Sequence, residues 1–237
     1  MPETTVPMRK LAGDLLNLLY PSLCLICRRP LIYGEQYLCT HCLQDMPRTQ
    51  YHELPFNPME QLFAGKIPVE RCSSYFYFTK ESPYRKLIHD IKYHNEKICG
   101  FTLGALYAEE LKGTGFFDSV DIIVPVPLHK SKLRKRGYNQ SEWIARGIEK
   151  ITGIELRTDI IIHTRKSSSQ TDKSIYKRWE NTHDSFELVN DKNISGMHIL
   201  LIDDVVTTGA TLLACAETLL TVPNIKISML TLAIAKL

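Results

Sequence analysis

The sequence predicts an α/β protein whose mainly parallel sheet is flanked by helices, preceded by a small cysteine-paired module. Three observations carry this reading. From residue 121 onward, short apolar runs alternate with helix-compatible stretches, the pattern of a parallel sheet covered on both faces. Four cysteines between residues 24 and 42 fall into two Cys-x-x-Cys pairs. In "HILLIDDVVTTGATLLACAETLL", His198 to Leu220, an apolar run ends in two adjacent acids, and a Thr/Gly turn then opens a helix.

Taken in order, residues 8–19 space Leu11, Leu15, Leu18 and Leu19 as a helix does, and Pro21 stops the pattern. The cysteine pairs occupy 22–49. Residues 50–70, with Pro55, Pro58 and Pro68, read as a linker or irregular crossing. Aromatic enrichment predicts a strand over 73–79, and 83–112 is mostly helix-compatible. Strands are then expected at 121–128, 159–164, 185–189, 198–203 and 226–235. Helices are expected over 139–152 and 209–221. The domain division this implies is 1–50, 51–120 and 121–237, with the last as the core.

Length and composition set limits. A chain of 237 residues holds one ordinary α/β domain and a small appendage. Its 44% hydrophobic and 23% charged residues are those of a soluble globular protein. A net charge of +3 is too mild to argue nucleic-acid binding without local clustering. No apolar run approaches the roughly 18–20 residues of a membrane span. Glu3, Asp14 and Asn17 interrupt what a secretory signal would need, so a cytoplasmic protein is expected.

The seven cysteines, at 24, 27, 39, 42, 72, 99 and 215, are an odd count that favours reduced thiols. Cys24-x2-Cys27, eleven residues, then Cys39-x2-Cys42 is the spacing of a four-thiolate ribbon holding a structural Zn²⁺. A redox dithiol is the alternative, and two pairs suit it poorly. Four thiolates fill the shell, which makes His41 a neighbour rather than a ligand. Cys72, Cys99 and Cys215 read as small core residues.

In a doubly wound sheet, ligands sit beyond the carboxyl ends of the strands, where Asp203 and Asp204 emerge. The loop Val206, Thr207, Thr208, Gly209, Ala210, Thr211 then offers backbone N–H groups and hydroxyls at a helix start. Acceptors for hydroxyls beside donors for a phosphate suit a ribose 5-phosphate. The acidic strand of a P-loop NTPase is a rival, but G-x-x-x-x-G-K-[ST] is absent. "GTGFFD" (113–118) lacks the third glycine of a dinucleotide fingerprint and precedes its strand. A surface turn in which the acids merely cap the helix would bring like charges together at needless cost.

"LLIDDVVTTGAT" resembles the phosphoribosyl pyrophosphate (PRPP) motif of type I phosphoribosyltransferases. The resemblance implies that fold, with Asp203 and Asp204 on the ribose 2′ and 3′ hydroxyls and 206–211 around the 5′-phosphate. It also implies a pyrophosphate loop and a mobile covering loop. "VPVPLHKSKLRKRGYNQ" (124–140) supplies Leu128, His129, Lys130, Arg134 and Arg136 for the first, and its clustered cations suit a diphosphate. A solvated basic loop or a nucleic-acid track fits the same charges. The polar stretch 165–184, with Arg165, Gln170 and Arg178, stands for the second.

Taken together, Pro125–His129, Arg134–Gln140, Arg165, Gln170, Arg178, Asn181, Phe186 and the 203–211 loop resemble the ComF family of competence-associated phosphoribosyltransferase-like proteins. "LIHDIKYHNEK" (87–97) is similar to a helical segment of that family, with His94-Asn95 as a departure. Members typically begin with a zinc finger, as this chain is expected to. The implied ligand is PRPP with Mg²⁺, in DNA uptake (natural transformation) or nucleotide metabolism, with phosphoribosyl transfer as the reaction if the protein is an enzyme. The implied partners include single-stranded DNA and DNA-uptake proteins. A non-enzymatic single-stranded-DNA-binding module and a nucleobase-salvage enzyme remain as alternatives. Neither the acceptor nor the oligomeric state is legible.

Overall fold

The computed structural model describes residues 21–79, 81–93, 96–164, 185–191 and 193–235. The chain divides into two compact units, Met1–Met46 and Pro47–Leu237. The helix expected over 8–19 lies outside the described residues.

In the first unit two knuckles carry the cysteines. The first turns at Arg28 (φ 62°), so that Arg28 N–H reaches Cys24 C=O at 3.0 Å. The second leads into α1 (Thr40–Gln44), whose N-cap is Cys39. Glu35 joins them, accepting from Thr40 N at 2.7 Å and from Ile32 N at 3.0 Å.

The second unit opens on a 3₁₀ turn, Tyr51–Glu53, and α2 (Pro58–Gln61). The expected linker is therefore partly helical. Asn57 and Glu60 form a reciprocal cap at the start of α2, and Pro58 sits at the first helical position, where its missing N–H costs nothing. Next come β1 (Cys72–Phe78), α3 (Arg85–Tyr93), α4 (Lys97–Leu111) and β2 (Ile122–Pro125). The basic stretch after β2 is a short helix, α5 (Lys130–Arg136), where a loop was expected. Gly137, at φ 81°, ends it, and α6 (Gln140–Thr152) follows.

A two-residue strand, β3 (Glu155–Leu156), comes next; it is too short to leave a sequence pattern. The strands β4 (Ile161–His163) and β5 (Phe186–Leu188) pair antiparallel in a ribbon of their own, outside the main sheet. Thr164 N donates to Ser185 O at 2.9 Å, so the two ends of the 165–184 stretch meet. The chain closes with β6 (His198–Val206), α7 (Ala210–Leu219) and β7 (Lys226–Ala235).

The main sheet has the order β1-β7-β6-β2-β3, and every pair in it is parallel. Its central strands are apolar on both faces, as a sheet covered on both sides demands. Ile199 and Leu201 join α7, Met59 and Phe63 in one core cluster, and the equally buried Leu200 and Ile202 belong to the other face. Helix α4 packs on α6 through glycines: a Cβ at Gly104 would collide with the Ile144 carbonyl, and one at Gly147 with the Phe101 carbonyl. That close approach fixes α6, whose first turn reaches the site described next.

Candidate functional site

The chain leaves β2 toward β3 on one side of the sheet and leaves β6 through α7 toward β7 on the other. Because β2 and β6 are neighbours, their carboxyl ends flank a topological switch point, where open α/β sheets form ligand crevices. Asp203 and Asp204 lie toward this edge, within the last residues of β6 rather than beyond it.

Both acids are nearly dry, at 8% and 3% exposure. Each has a partner from a different helix. The Ser141 hydroxyl, in the first turn of α6, donates to Asp203 Oδ1 at 2.9 Å, and the Asp204 N–H donates to the same oxygen at 2.8 Å. Lys92, near the end of α3, brings its ammonium to 3.1 Å from Asp204 Oδ2. That is a charge contact without hydrogen-bond alignment, and Asp204 Oδ2 has no other partner among the described residues. Burial, followed by the neighbouring Asp204 charge, pushes the Asp203 carboxyl up to about 7, against the Asp204 N–H, Lys92 and Ser141. A cation or a set of hydroxyl donors placed beside the pair would offset that burial and repulsion.

Asn139 fixes the crossover between β2 and α6. Its Nδ2 donates to Val126 C=O at 3.0 Å, and its Oδ1 caps α6 by accepting from Ser141 N at 3.1 Å. The Tyr138 hydroxyl donates to Ile91 C=O, tying the same segment to α3. Tyr138 and Asn139 fall within the Arg134–Gln140 motif, whereas Ser141 and Lys92 were not singled out from the sequence. Ser141 directly follows the Arg134–Gln140 motif and Lys92 lies within "LIHDIKYHNEK", so proximity to those motifs was the available signal.

After the acids, Val206 is buried and Thr207, Thr208 and Thr211 are exposed. Gly209, at φ 77°, is the N-cap of α7, and among the described residues no side chain caps the first-turn amides. Ala210 begins the helix. Free amides and three open hydroxyls at a ten-residue helix start make an arrangement able to take an anion. Gly209 is required on two counts: its φ, and Phe63, whose ring carbons would lie 3.1 and 3.2 Å from an added Cβ.

Beyond β2, Leu128 and His129 are half-buried, Lys130 and Arg134 are exposed, and Arg136 is half-buried. Arg136 donates to Gln140 Oε1 at 2.7 Å and lies 5.1 Å over the Tyr93 ring. His129 caps α5 and sits 5.6 Å from the His163 ring at the end of β4. The β2 exit and the root of the 165–184 stretch are thus neighbours. Burial, then the charges of His129 and Lys132, lowers His163 to about 4, so it is neutral near pH 7. Arg165, Gln170 and Arg178 lie outside the described residues.

In the first unit, the Sγ atoms of Cys24, Cys27, Cys39 and Cys42 all lie within 4.8 Å of one another, with Cys27 and Cys39 at 3.6 Å. Four sulfurs about 2.3 Å from a tetrahedral zinc stand roughly 3.8 Å apart, so the donor set fits Zn²⁺. Burial opposes ionisation of Cys24, yet the N–H groups of Cys27, Cys39 and Ile26 bring its thiol down to about 6. Cys42 is pushed up by burial and by its neighbouring thiols, a conflict that a divalent cation resolves. His41 is turned aside, pairing with Asp45 at 2.8 Å. Cys72, Cys99 and Cys215 are buried in the second unit. No helix among the described residues is long and apolar enough to cross a membrane.

The double zinc ribbon domain family matches residues 15–52. The chain is 28% identical over 219 residues to the DNA utilization protein YhgH of Salmonella typhi, covering 84% of this chain and 91% of that protein. It is 29% identical to Competence protein F of Haemophilus influenzae, over 55% of this chain and 58% of that one. With Competence protein ComFC of Bacillus subtilis it shares 30% identity, over 42% and 38% of the two chains. Among solved structures, a purine phosphoribosyltransferase from Pyrococcus horikoshii is similar at 16% identity and a TM-score of 0.34, covering 56% of this chain and 71% of that one. The allosteric regulatory enzyme of purine biosynthesis is similar at 18% identity and a TM-score of 0.37; this chain spans 25% of its length.

Proposed function

We propose, for this chain as a member of the ComF family, a phosphoribosyltransferase-type role: it binds PRPP with Mg²⁺ and acts in the use or uptake of DNA. The observation that carries the reading is the Asp203–Asp204 pair at the β2/β6 switch point, directly ahead of the open amides and hydroxyls of 207–211. Paired buried carboxylates accept from a cis-diol, and the α7 N-terminus receives a phosphate one strand-end away. The names of its relatives support a task connected with DNA. The reduced cysteines and the zinc ribbon suit a cytoplasmic setting.

Hard oxygen ligands suit Mg²⁺, and Asp203 and Asp204 supply them. When bound, the metal adds positive charge against the diphosphate. If transfer occurs, the C1–O bond breaks with its electron pair leaving on the diphosphate, and the acceptor's lone pair forms the new bond to C1. Asp203 and Asp204 hold the hydroxyls and set negative charge beside the developing oxocarbenium ion. Leu128, His129, Lys130, Arg134 and Arg136 receive the leaving group, and the same role is proposed for Arg165, Gln170 and Arg178, which lie outside the described residues.

A second reading, a single-stranded-DNA-binding module, is favoured by two groups of side chains. Lys97 and Arg146 lie 4.9 and 5.9 Å from the Trp143 ring, and Arg136 lies over Tyr93, an interleaving of cations and aromatics that suits unstacked bases. Calorimetry with Mg²⁺·PRPP and with a single-stranded oligonucleotide, on one preparation, separates the two. The first reading expects PRPP binding that Asp203→Asn with Asp204→Asn abolishes; unchanged affinity in that double variant rules it out.

A further inference from the structure

The two acids are compensated in different ways. Asp203 Oδ1 is held by hydrogen bonds from the fold itself, the Ser141 hydroxyl and the Asp204 N–H. Among the described residues, Asp204 Oδ2 is met by the ammonium of Lys92 alone, at 3.1 Å and without hydrogen-bond alignment. A carboxylate oxygen that could accept several donors is thus met by one ammonium without hydrogen-bond alignment.

We propose that Lys92 is a tethered counter-ion that exchanges with the ligand: its ammonium occupies the place on Asp204 that a sugar hydroxyl or the ligand's divalent cation takes, so binding and Lys92 release are one event. This inference rests on the PRPP reading of the preceding section.

The geometry allows that exchange without refolding. The Lys92 side chain is 20% exposed against 4% for the Asp204 side chain, so the ammonium reaches in from the solvent edge. Its four-carbon stem carries a compact, strongly hydrated charge that water readily takes back. The backbone beneath is fixed: Leu87, Ile88 and Ile91 are buried, and the Ile91 carbonyl accepts from Tyr138. Only side-chain torsions need change. A divalent cation arriving beside a retained ammonium would meet like charge, whereas a withdrawn ammonium leaves both carboxylates to the ligand.

Lys92→Met keeps most of the stem and removes the charge. The ligand-free protein should then melt lower than wild type, because the buried Asp204 side chain loses its contact with the Lys92 ammonium. Mg²⁺·PRPP should bind about tenfold tighter by calorimetry, since its internal competitor is gone, and should raise the midpoint more than it does in wild type. Lys92→Arg, which keeps the cation, should show no such gain. Weaker binding in Lys92→Met would overturn the inference by making Lys92 a ligand contact. Equal binding would overturn it by making Lys92 a permanent structural partner. Wild type that binds no Mg²⁺·PRPP would remove the PRPP reading and this inference with it.

Discussion

The Ser141 hydroxyl donates to Asp203 Oδ1 at 2.9 Å, joining the first turn of α6 to the end of β6 across 62 residues of chain. It is the one side-chain hydrogen bond to the acid pair among the described residues, and α6 is seated for it by the Gly104 and Gly147 crossings. Ser141→Ala leaves Asp203 with the Asp204 N–H alone. We expect a loss of about 1 kcal/mol in stability. The Asp203 carboxyl should also titrate higher, since that bond favours its charged form. Denaturant melts give the first quantity. The pH midpoint of Mg²⁺·PRPP affinity, moved to higher pH, gives the second.

The acid pair also sets a pH dependence. Asp203 titrates near 3.8 in an unfolded chain and is raised to about 7 when folded. Between those values the folded state binds more protons than the unfolded one, so this group's contribution to stability falls as pH rises through the window. The lowered histidines, His52, His163 and His198, act in the opposite sense and obscure it in wild type. Comparing wild type with Asp203→Asn cancels the histidines. The variant's advantage in thermal midpoint should grow from about pH 4 to about pH 7 and then level off. A constant difference across that range would mean the pair is not coupled as drawn.

Much of this site was legible in the sequence because its signals are local. An apolar run, two acids and a Thr/Gly turn are contiguous, so β6, the acids and the start of α7 could be placed together. The cysteine spacing was equally self-contained. What escaped was long-range. Ser141 and Lys92 reach the acids only through the packing of α6 and α3, which no local pattern encodes. The basic stretch reads as a loop because its charges mask a seven-residue helix, α5, that buries no side chain. β4 and β5 look like members of the main sheet until the meeting of Thr164 with Ser185 shows them to be a ribbon.

Gly209 should be irreplaceable for two separable reasons. Its φ of 77° alone costs an L-residue roughly 1–2 kcal/mol. An added Cβ also presses on Phe63, which is fully buried and has nowhere to go. Gly153 supplies the control, with φ 73° and open space around an added Cβ. Gly209→Ala should therefore destabilise more than Gly153→Ala and should also lower Mg²⁺·PRPP affinity. Equal melts for the two variants would show that Phe63 yields freely.

Zinc removal should act on the first unit. Its described residues hold only the five-residue helix α1 and isolated bridges, too little structure to stand without the four-thiolate centre. We expect about one zinc per chain by elemental analysis. Cys39→Ser should lose it, because a hydroxyl replaces one of the four thiolate ligands while still able to cap α1 at Cys42 N. The 47–237 unit has its own core and should retain its melting transition. Full zinc content in Cys39→Ser would count against the four-cysteine assignment.

The basic helix α5 tests whether phosphate chemistry or DNA comes first. Arg134 is exposed, whereas Arg136 is engaged with Gln140 and Tyr93, so the two cations are not equivalent. If α5 receives the diphosphate where the chain leaves β2, Arg134→Ala with Arg136→Ala should weaken Mg²⁺·PRPP binding by about 2–3 kcal/mol, the range for charge-assisted contacts. If it is a nucleic-acid track, the same double variant should chiefly lower affinity for a single-stranded oligonucleotide. The slope of log affinity against log salt would then flatten by about 0.7 per lost phosphate contact. Arg136→Ala alone frees the Tyr93 ring and should affect base stacking before it affects phosphate. Titrating both ligands into both variants at several salt concentrations decides the order. Intact PRPP affinity with lost oligonucleotide binding would transfer the assignment of α5 to DNA.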